Sequence, residues 1–149
     1  MKRRVAIEEW LTHDERARVR SAIREAERHT SGEIRVHLDI PILDEVLEHA
    51  AFVFRDLGMD RTRERNGVLI YVSVPGRQVA VIGDAGIHAK LGDDYWQEVL
   101  GAILAHFRED RFCDGLCAGV AMLGEKLRQH FPRRGDDRNE LSDDVSFGR

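Results

Sequence analysis

Cysteine and proline are scarce in this chain of 149 residues, which contains two cysteines and three prolines. Two cysteines are too few to build a zinc site from sulfur ligands. Cys113 and Cys117 lie four residues apart in a predicted helix, which is poor geometry for a disulfide between them. We therefore expect reduced cysteines and a cytoplasmic protein.

The chain also lacks a long apolar run and an excess of basic charge. No stretch approaches the roughly 20 apolar residues that cross a membrane, so we expect no direct membrane span. The net charge is −4 with both signs interspersed, which predicts no nucleic-acid partner. Residues 1–4 resemble the start of a signal peptide, but Glu8 and Glu9 stand where its apolar region would follow. We expect no secretion signal.

Three stretches of the sequence have the pattern of β-strands. Val68–Val74 is mostly apolar on both faces, which is typical of a strand covered on both sides. Pro75 and Gly76 then favour a turn, and Gln78–Ile82 returns as a second buried strand. Glu33–Ile40 alternates, so we predict a more exposed strand towards a sheet edge. Its predicted outward face consists of Glu33, Arg35, His37 and Asp39.

Four segments have the period of amphipathic helices. Thr12 and Glu15 form a capping box at the start of the first, and Asp93 is a predicted N-cap of the third. Three glycines in the fourth helix would destabilise it if exposed, so we predict that its backbone packs closely against the sheet or the third helix. The predicted helices span residues 12–28, 43–57, 93–107 and 112–131.

The predicted element order is α-β-α-β-β-α-α. The first two strands are joined through a helix, so they should be parallel with a right-handed crossover. The third should be antiparallel to the second because a short hairpin joins them. Helices on both faces predict a three-layer α/β/α sandwich around a small mixed sheet. One domain should cover residues 1–132, followed by a flexible polar tail over residues 133–149.

This topology brings the starts of the first two strands and the end of the third to one rim of the sheet. Hard oxygen ligands without His or Cys suit Ca²⁺ or Mg²⁺ rather than zinc. The predicted metal ligands are Glu33, Asn66, Asp84, Asp93 and Asp94. The residues predicted to line the same cleft are Ser31, Arg65, Arg77, His88 and Asp114. Sheet ends also collect such residues for turns and caps, so a plain scaffold with an empty rim is an alternative.

An ordered set of short motifs resembles a known family over residues 12–131. The motifs are Thr30-Ser31-Gly32-Glu33-Ile34, Ala51, Phe54, Leu57-Gly58, Asn66-Gly67-Val68-Leu69-Ile70, Arg77, Gly83, Gly86 and the run Phe112…Gly115-Leu116…Gly119-Val120. Together they resemble the TPM domain family, whose members include a thylakoid-lumen protein of photosystem II repair and bacterial membrane-associated proteins. The resemblance implies an α/β/α fold, an acidic cleft, and divalent-cation binding or acid-phosphatase activity. It also implies a role in membrane-complex assembly, with a LemA-type membrane protein as partner.

Two functions from different classes fit these observations. In a metal-dependent acid phosphatase, Asp84 would be the nucleophile or a metal ligand, and Arg65 or Arg77 would hold the phosphate. The sequence contains no P-loop, no Cys-x₅-Arg and no paired Asp-x-Asp motif. The histidines, His37 and His88 among them, are predicted to be surface or half-buried residues. We therefore favour a divalent-cation-binding interaction domain that acts in the assembly or maintenance of membrane protein complexes.

Overall fold

A four-stranded mixed sheet with helices on both faces makes up the fold. The computed structural model describes residues 7–40, 45–74, 78–133 and 144–148. The predicted turn at Pro75 and Gly76 therefore lies outside the described residues, as does Arg77. The strands are β1 (Glu33–Asp39), β2 (Gly67–Ser73), β3 (Gln78–Gly83) and β4 (Ser146–Phe147). The helices are α1 (His13–Glu27), α2 (Val46–Asp56), the short α3 (Ala85–His88), α4 (Asp93–Phe107) and α5 (Phe112–His130).

The strand order is β3-β2-β1-β4. β1 and β2 are parallel, with Glu33 opposite Gly67, and β3 is antiparallel to β2, with Val68 opposite Gly83. Both pairings confirm the predicted topology. The fourth strand was not predicted: it lies parallel to β1, beside His37 and Leu38, although it falls within the predicted tail. The domain boundary at residue 132 and the flexibility of the remaining tail stay predictions.

The two faces of the sheet carry separate cores, so the predicted three-layer α/β/α sandwich is confirmed. α1, α4 and α5 cover one face, against the side chains that point there from all three long strands. α2 covers the other face, where it packs on Leu69 and Tyr71 of β2 and on Ala80 of β3. β2 is buried along its whole length because both layers reach it, as its continuous apolar pattern predicted.

The helix ends follow local capping chemistry. At the start of α1, the Glu15 amide donates to the Thr12 hydroxyl at 3.1 Å and the Thr12 amide donates to the Glu15 carboxylate at 2.9 Å, which confirms the capping box. The N-cap of α4 is Gly92, so the predicted cap was wrong by one residue. Asp93 is instead the first residue in the helix, where its charge is favourable next to the helix dipole.

Small residues let α5 approach its neighbours closely. A β-carbon on Gly119 would lie 2.7 Å from the Ile103 side chain of α4, which confirms the predicted packing on the third predicted helix. A β-carbon on Gly124 would lie 2.6 Å from the β-carbon of Ala26, so this part of the helix packs on α1 instead. Larger side chains at these positions would force the helices apart.

The outward face predicted for β1 is buried, so the prediction of a more exposed strand was wrong. Glu33, His37 and Asp39 are between 2% and 6% exposed, and Arg35 is half-buried. The alternation of polar and apolar residues is real, but the polar face lies on the same side of the sheet as α2. On this face His37 is hydrogen-bonded to Ser146 and Asp39 to Tyr71, which keeps the burial of these two side chains tolerable.

Candidate functional site

The rim forms where the starts of β1 and β2 and the end of β3 meet. The Glu33 amide donates to the Asn66 carbonyl oxygen at 3.4 Å, and the Asp84 amide donates to the Gly67 carbonyl oxygen at 2.9 Å. These bonds join residues that are 33 and 17 positions apart in the chain. The structure therefore brings Glu33, Asn66 and Asp84 to the same end of the sheet, as the directions of the three strands require.

An ion pair between Arg65 and Asp84 dominates one side of the rim. The guanidinium donates Nε to Asp84 Oδ2 at 2.8 Å and Nη2 to Oδ1 at 2.9 Å, the bidentate geometry that suits arginine and carboxylate. The side chain of Asp84 is only 5% exposed, whereas that of Arg65 is 54% exposed. Asp84 also accepts the Ala85 amide at 2.7 Å as the N-cap of α3. Both oxygens of this carboxylate are therefore already engaged.

The backbone of the same loop fixes the position of α3. The Arg65 carbonyl oxygen accepts the amide of Gly86 at 2.8 Å and that of Ile87 at 3.3 Å. Arg65 itself has a positive φ of 53°, a conformation that costs energy in a residue with a side chain. A β-carbon on Gly86 would lie 2.6 Å from the Arg65 carbonyl oxygen, so glycine is required for this approach. The fit between loop and helix thus holds Asp84 in place.

A second polar set, which we call the rim triad, consists of Ser31, Glu64 and Asn66. The Ser31 hydroxyl donates to Glu64 Oε2. Asn66 Nδ2 donates to Ser31 Oγ at 3.1 Å and to Glu64 Oε2 at 3.4 Å. Ser31 and Glu64 are half-buried, so the triad reaches the surface. Sequence reasoning missed Glu64, although its place two residues before Asn66, in the loop that enters β2, was a usable signal.

The other predicted site residues do not join the triad. Asp93 and Asp94 are exposed on the first turn of α4 and make no hydrogen bond or ion pair with described rim residues. His88 is exposed and stacks on Trp96, with ring centres 6.1 Å apart. Asp114 lies at the start of α5 and pairs with Arg18 at 3.0 Å. α5 reaches the rim at its other end, where Thr30 donates to the Leu127 carbonyl oxygen, so Asp114 is far from the site.

The side-chain atoms at the rim determine which metal ion could bind there. Across the described ranges, no group of three or more His, Cys, Asp or Glu side chains is placed to hold a metal ion. The rim triad contains one carboxylate, one hydroxyl and the side-chain amide of Asn66, whose nitrogen faces the other two groups. Carboxylate, hydroxyl and amide oxygens belong to Ca²⁺ and Mg²⁺ chemistry rather than to zinc chemistry.

A polar cluster lies at the opposite end of β1, around Asp39. Tyr71 donates its hydroxyl to Asp39 Oδ2 at 2.8 Å, and the Nε2 atoms of His49 and His37 lie 3.4 and 3.9 Å from the same oxygen. Burial, together with the hydrogen bond to Asp39, raises the pKa of Tyr71 above its ordinary value. Burial also lowers the pKa of His37, an effect that the nearby Asp39 charge only partly offsets. Sequence reasoning predicted a surface or half-buried His37 and did not find this cluster.

Comparison with known proteins gives one family and a consistent fold. The family model described as TPM domain matches residues 6–126. The solution structure of the BA42 protein from the psychrophilic bacterium Bizionia argentinensis is similar over 96% of this chain and 99% of that one, with 42% identity and a TM-score of 0.88. The N-terminal domain of a protein from P. gingivalis shares the fold, with 21% identity, a TM-score of 0.68, and coverage of 84% of this chain and 83% of that one. No curated protein matches the chain.

Proposed function

Because the chain belongs to the TPM domain family, we propose that it is a divalent-cation-binding interaction domain acting in the assembly or maintenance of membrane protein complexes. The observation that carries the cation proposal is the rim triad. Ser31, Glu64 and Asn66 come from two separate loops and meet at a half-exposed point of the rim, where the Ser31 hydroxyl and Asn66 Nδ2 both donate to Glu64 Oε2. Carboxylate and hydroxyl oxygens are ligands of the kind that bind a hard cation, and rotation of the Asn66 side-chain amide would present its oxygen as a third.

Glu64 is the carboxylate that would hold the cation, with Ser31 and Asn66 as neutral ligands. Asp84 is less suited, because Arg65 occupies both of its oxygens and places a positive charge beside it. A site with a single carboxylate binds Ca²⁺ weakly, with a dissociation constant on the order of 10⁻⁴ to 10⁻³ M. Bound there, the cation would add positive charge to the rim and tie the loop before β2 to the loop before β1.

An exposed apolar surface supports the interaction role. Among the described residues, the exposed large hydrophobic side chains are Ile40, Leu47 and Phe52, which are 44%, 61% and 57% exposed. Leu47 and Phe52 lie on α2, and Ile40 follows the end of β1 that is remote from the rim. Exposed apolar side chains of this size are available for contact with another protein. Within the described part of the chain, no helix combines the length and hydrophobicity that a membrane crossing requires. The proposal therefore assigns contact with the membrane complex to a protein partner, of the LemA type by family resemblance.

The experiment is an NMR titration of the ¹⁵N-labelled chain with Ca²⁺, Mg²⁺ and Zn²⁺. We expect Ca²⁺ and Mg²⁺ to shift the amides of residues 31–33 and 64–67, and Glu64→Gln to abolish these shifts. Asp94→Asn is the matched control, because it also removes one carboxylate but lies on the exposed first turn of α4. Shifts that survive in Glu64→Gln, or that vanish in Asp94→Asn, would contradict the proposal.

The alternative function, a metal-dependent phosphomonoester hydrolase, has less support from the geometry. In this function Arg65 would bind the phosphate and Asp84 would be the nucleophile or a metal ligand. The two side chains instead bind each other. A generic phosphomonoester assay, with and without the metals of the titration, tests it directly. Turnover that is lost in Asp84→Asn would favour the hydrolase. Absence of turnover in a metal-bound sample would favour the interaction domain.

A further inference from the structure

The outer edge of β1 is covered by two different parts of the chain. Near its start, the Ile34 amide donates to the carboxylate of the buried Glu27 at 2.8 Å. Near its end, the Leu38 carbonyl oxygen accepts the Gly148 amide at 2.7 Å. An uncovered strand edge pairs readily with other chains, and a segment that covers the edge prevents this. The second cover, residues 144–148, is called the C-terminal strap below.

Apolar, ionic and polar contacts hold the C-terminal strap. Val145 is 3% exposed and packs into the larger core. Arg16 pairs with Asp144 at 3.0 Å and lies over the Phe147 ring, with its guanidinium carbon 4.8 Å from the ring centre. Both side chains of this ion pair are more than a third exposed, and exposed pairs add little stability. A further anchor is buried and polar.

That anchor is His37. Its Nδ1 atom lies 2.7 Å from the Ser146 hydroxyl, and the Ser146 hydroxyl is also 3.4 Å from the Val36 carbonyl oxygen. His37 is only 6% exposed, and the strap runs beside it along β1. We propose that the C-terminal strap is an acid-released cover of the β1 edge, with His37 as its proton sensor.

The direction of the effect follows from proton linkage. With the strap docked, burial lowers the pKa of His37, whereas strap release would hydrate the ring and return it towards its ordinary value of about 6.5. The released state then binds more protons, so docking is strongest above that pH and weakens as pH falls through it. The charged and titratable groups around the ring are Arg35 and Asp39 on β1, His49 and Asp56 on α2, Tyr71 on β2, and Asp144 of the strap with its partner Arg16 on α1.

The test is amide hydrogen exchange of the full chain between pH 7 and pH 5, expressed as protection factors. We expect the protection factor of the Gly148 amide to fall about threefold or more over this range. The fall cannot exceed about tenfold per pH unit, because strap release is coupled to the uptake of a single proton. Amides in the β2–β3 pairing should keep their protection. In His37→Asn, which can still hydrogen-bond Ser146 but does not titrate, the pH dependence should disappear.

Two further variants make the assignment specific. His49→Asn, on the other side of Asp39, should retain the pH dependence. Gly148→Ala should release the strap at neutral pH, because a β-carbon there would collide with the Asp39 carboxylate. The NMR titration midpoint of the His37 ring should then be higher in Gly148→Ala than in the unmodified chain. An unchanged midpoint, a persistent pH dependence in His37→Asn, or its loss in His49→Asn would each overturn the proposal.

Discussion

Replacement of Gly86 by alanine is the sharpest test of how the rim is built. The new β-carbon would lie 2.6 Å from the Arg65 carbonyl oxygen and closer still to that of Glu64. Both obstacles are backbone atoms, and the Arg65 oxygen already accepts two amides of α3, so the loop cannot move without loss of these bonds. Overpacking of this kind costs up to about 3 kcal/mol. The lower unfolded-state entropy of alanine returns up to about 1 kcal/mol.

The net prediction for Gly86→Ala is a loss of about 2 kcal/mol in the free energy of unfolding, or roughly 4–8 °C in Tm for a chain of this size. Gly101→Ala is the matched control, because a β-carbon there meets nothing within 4 Å on the exposed side of α4. It should stabilise the chain by about 0.5–1 kcal/mol. Urea unfolding followed by circular dichroism measures both changes. A Gly86→Ala chain as stable as the unmodified one would refute the close approach of loop and helix.

Three further predictions concern buried polar groups. Asp84→Asn keeps an N-cap but loses the ion pair, so it should lower the free energy of unfolding in urea by about 1–2 kcal/mol. Asp84→Ala also loses the N-cap and should cost about 1 kcal/mol more. Equal costs for the two variants would show that Asp84 does not stabilise the chain as an N-cap. Tyr71→Phe should cost about 1–2 kcal/mol at pH 7. Because the pKa of Tyr71 is raised by folding, the native tyrosine loses stability as pH rises above about 10; Tyr71→Phe should lose less there, and parallel pH profiles would contradict this. Burial raises the pKa of Cys113 to about 12, so Ellman's reagent at pH 8 should modify it only upon unfolding; fast reaction in the folded chain would show that the thiol is accessible.

The layers and the order of the three long strands could be predicted because they depend on local patterns. A continuous apolar run marks β2, and a hairpin after it leaves one pairing for β3. β4 could not be predicted in this way. Ser146 and Phe147 form only two pairs, in a polar segment, and they are held by contacts with Arg16 and His37 that lie more than a hundred residues away.

The burial of the polar face of β1 shows the limit of the alternation rule. Alternation separates the two faces of a strand, but it does not tell whether the polar face meets water or other polar groups. Here Asp39 is hydrogen-bonded by Tyr71 from the neighbouring strand and lies 3.4 Å from His49 of α2. Both partners are fixed by tertiary packing, and no local signal in the sequence around Asp39 identifies them.

The topology also predicted that three loops meet at one rim. It did not predict which side chains bind each other there. The sequence placed Asp84 among the metal ligands, whereas the structure shows it bound to Arg65. That pair depends on the left-handed backbone of Arg65 and on the close approach at Gly86, and neither is visible in composition or spacing. The same loop turns Glu64 towards Ser31, which makes it the carboxylate of the rim triad.

The measurement that bears most directly on this account is the calcium affinity of the chain and of its Glu64→Gln variant, determined by isothermal titration at pH 7. The account predicts a dissociation constant on the order of 10⁻⁴ to 10⁻³ M for the unmodified chain. Loss of the single carboxylate of the rim triad should leave no detectable calcium binding in the variant. Equal affinities in the two proteins, or no calcium binding by either, would contradict it.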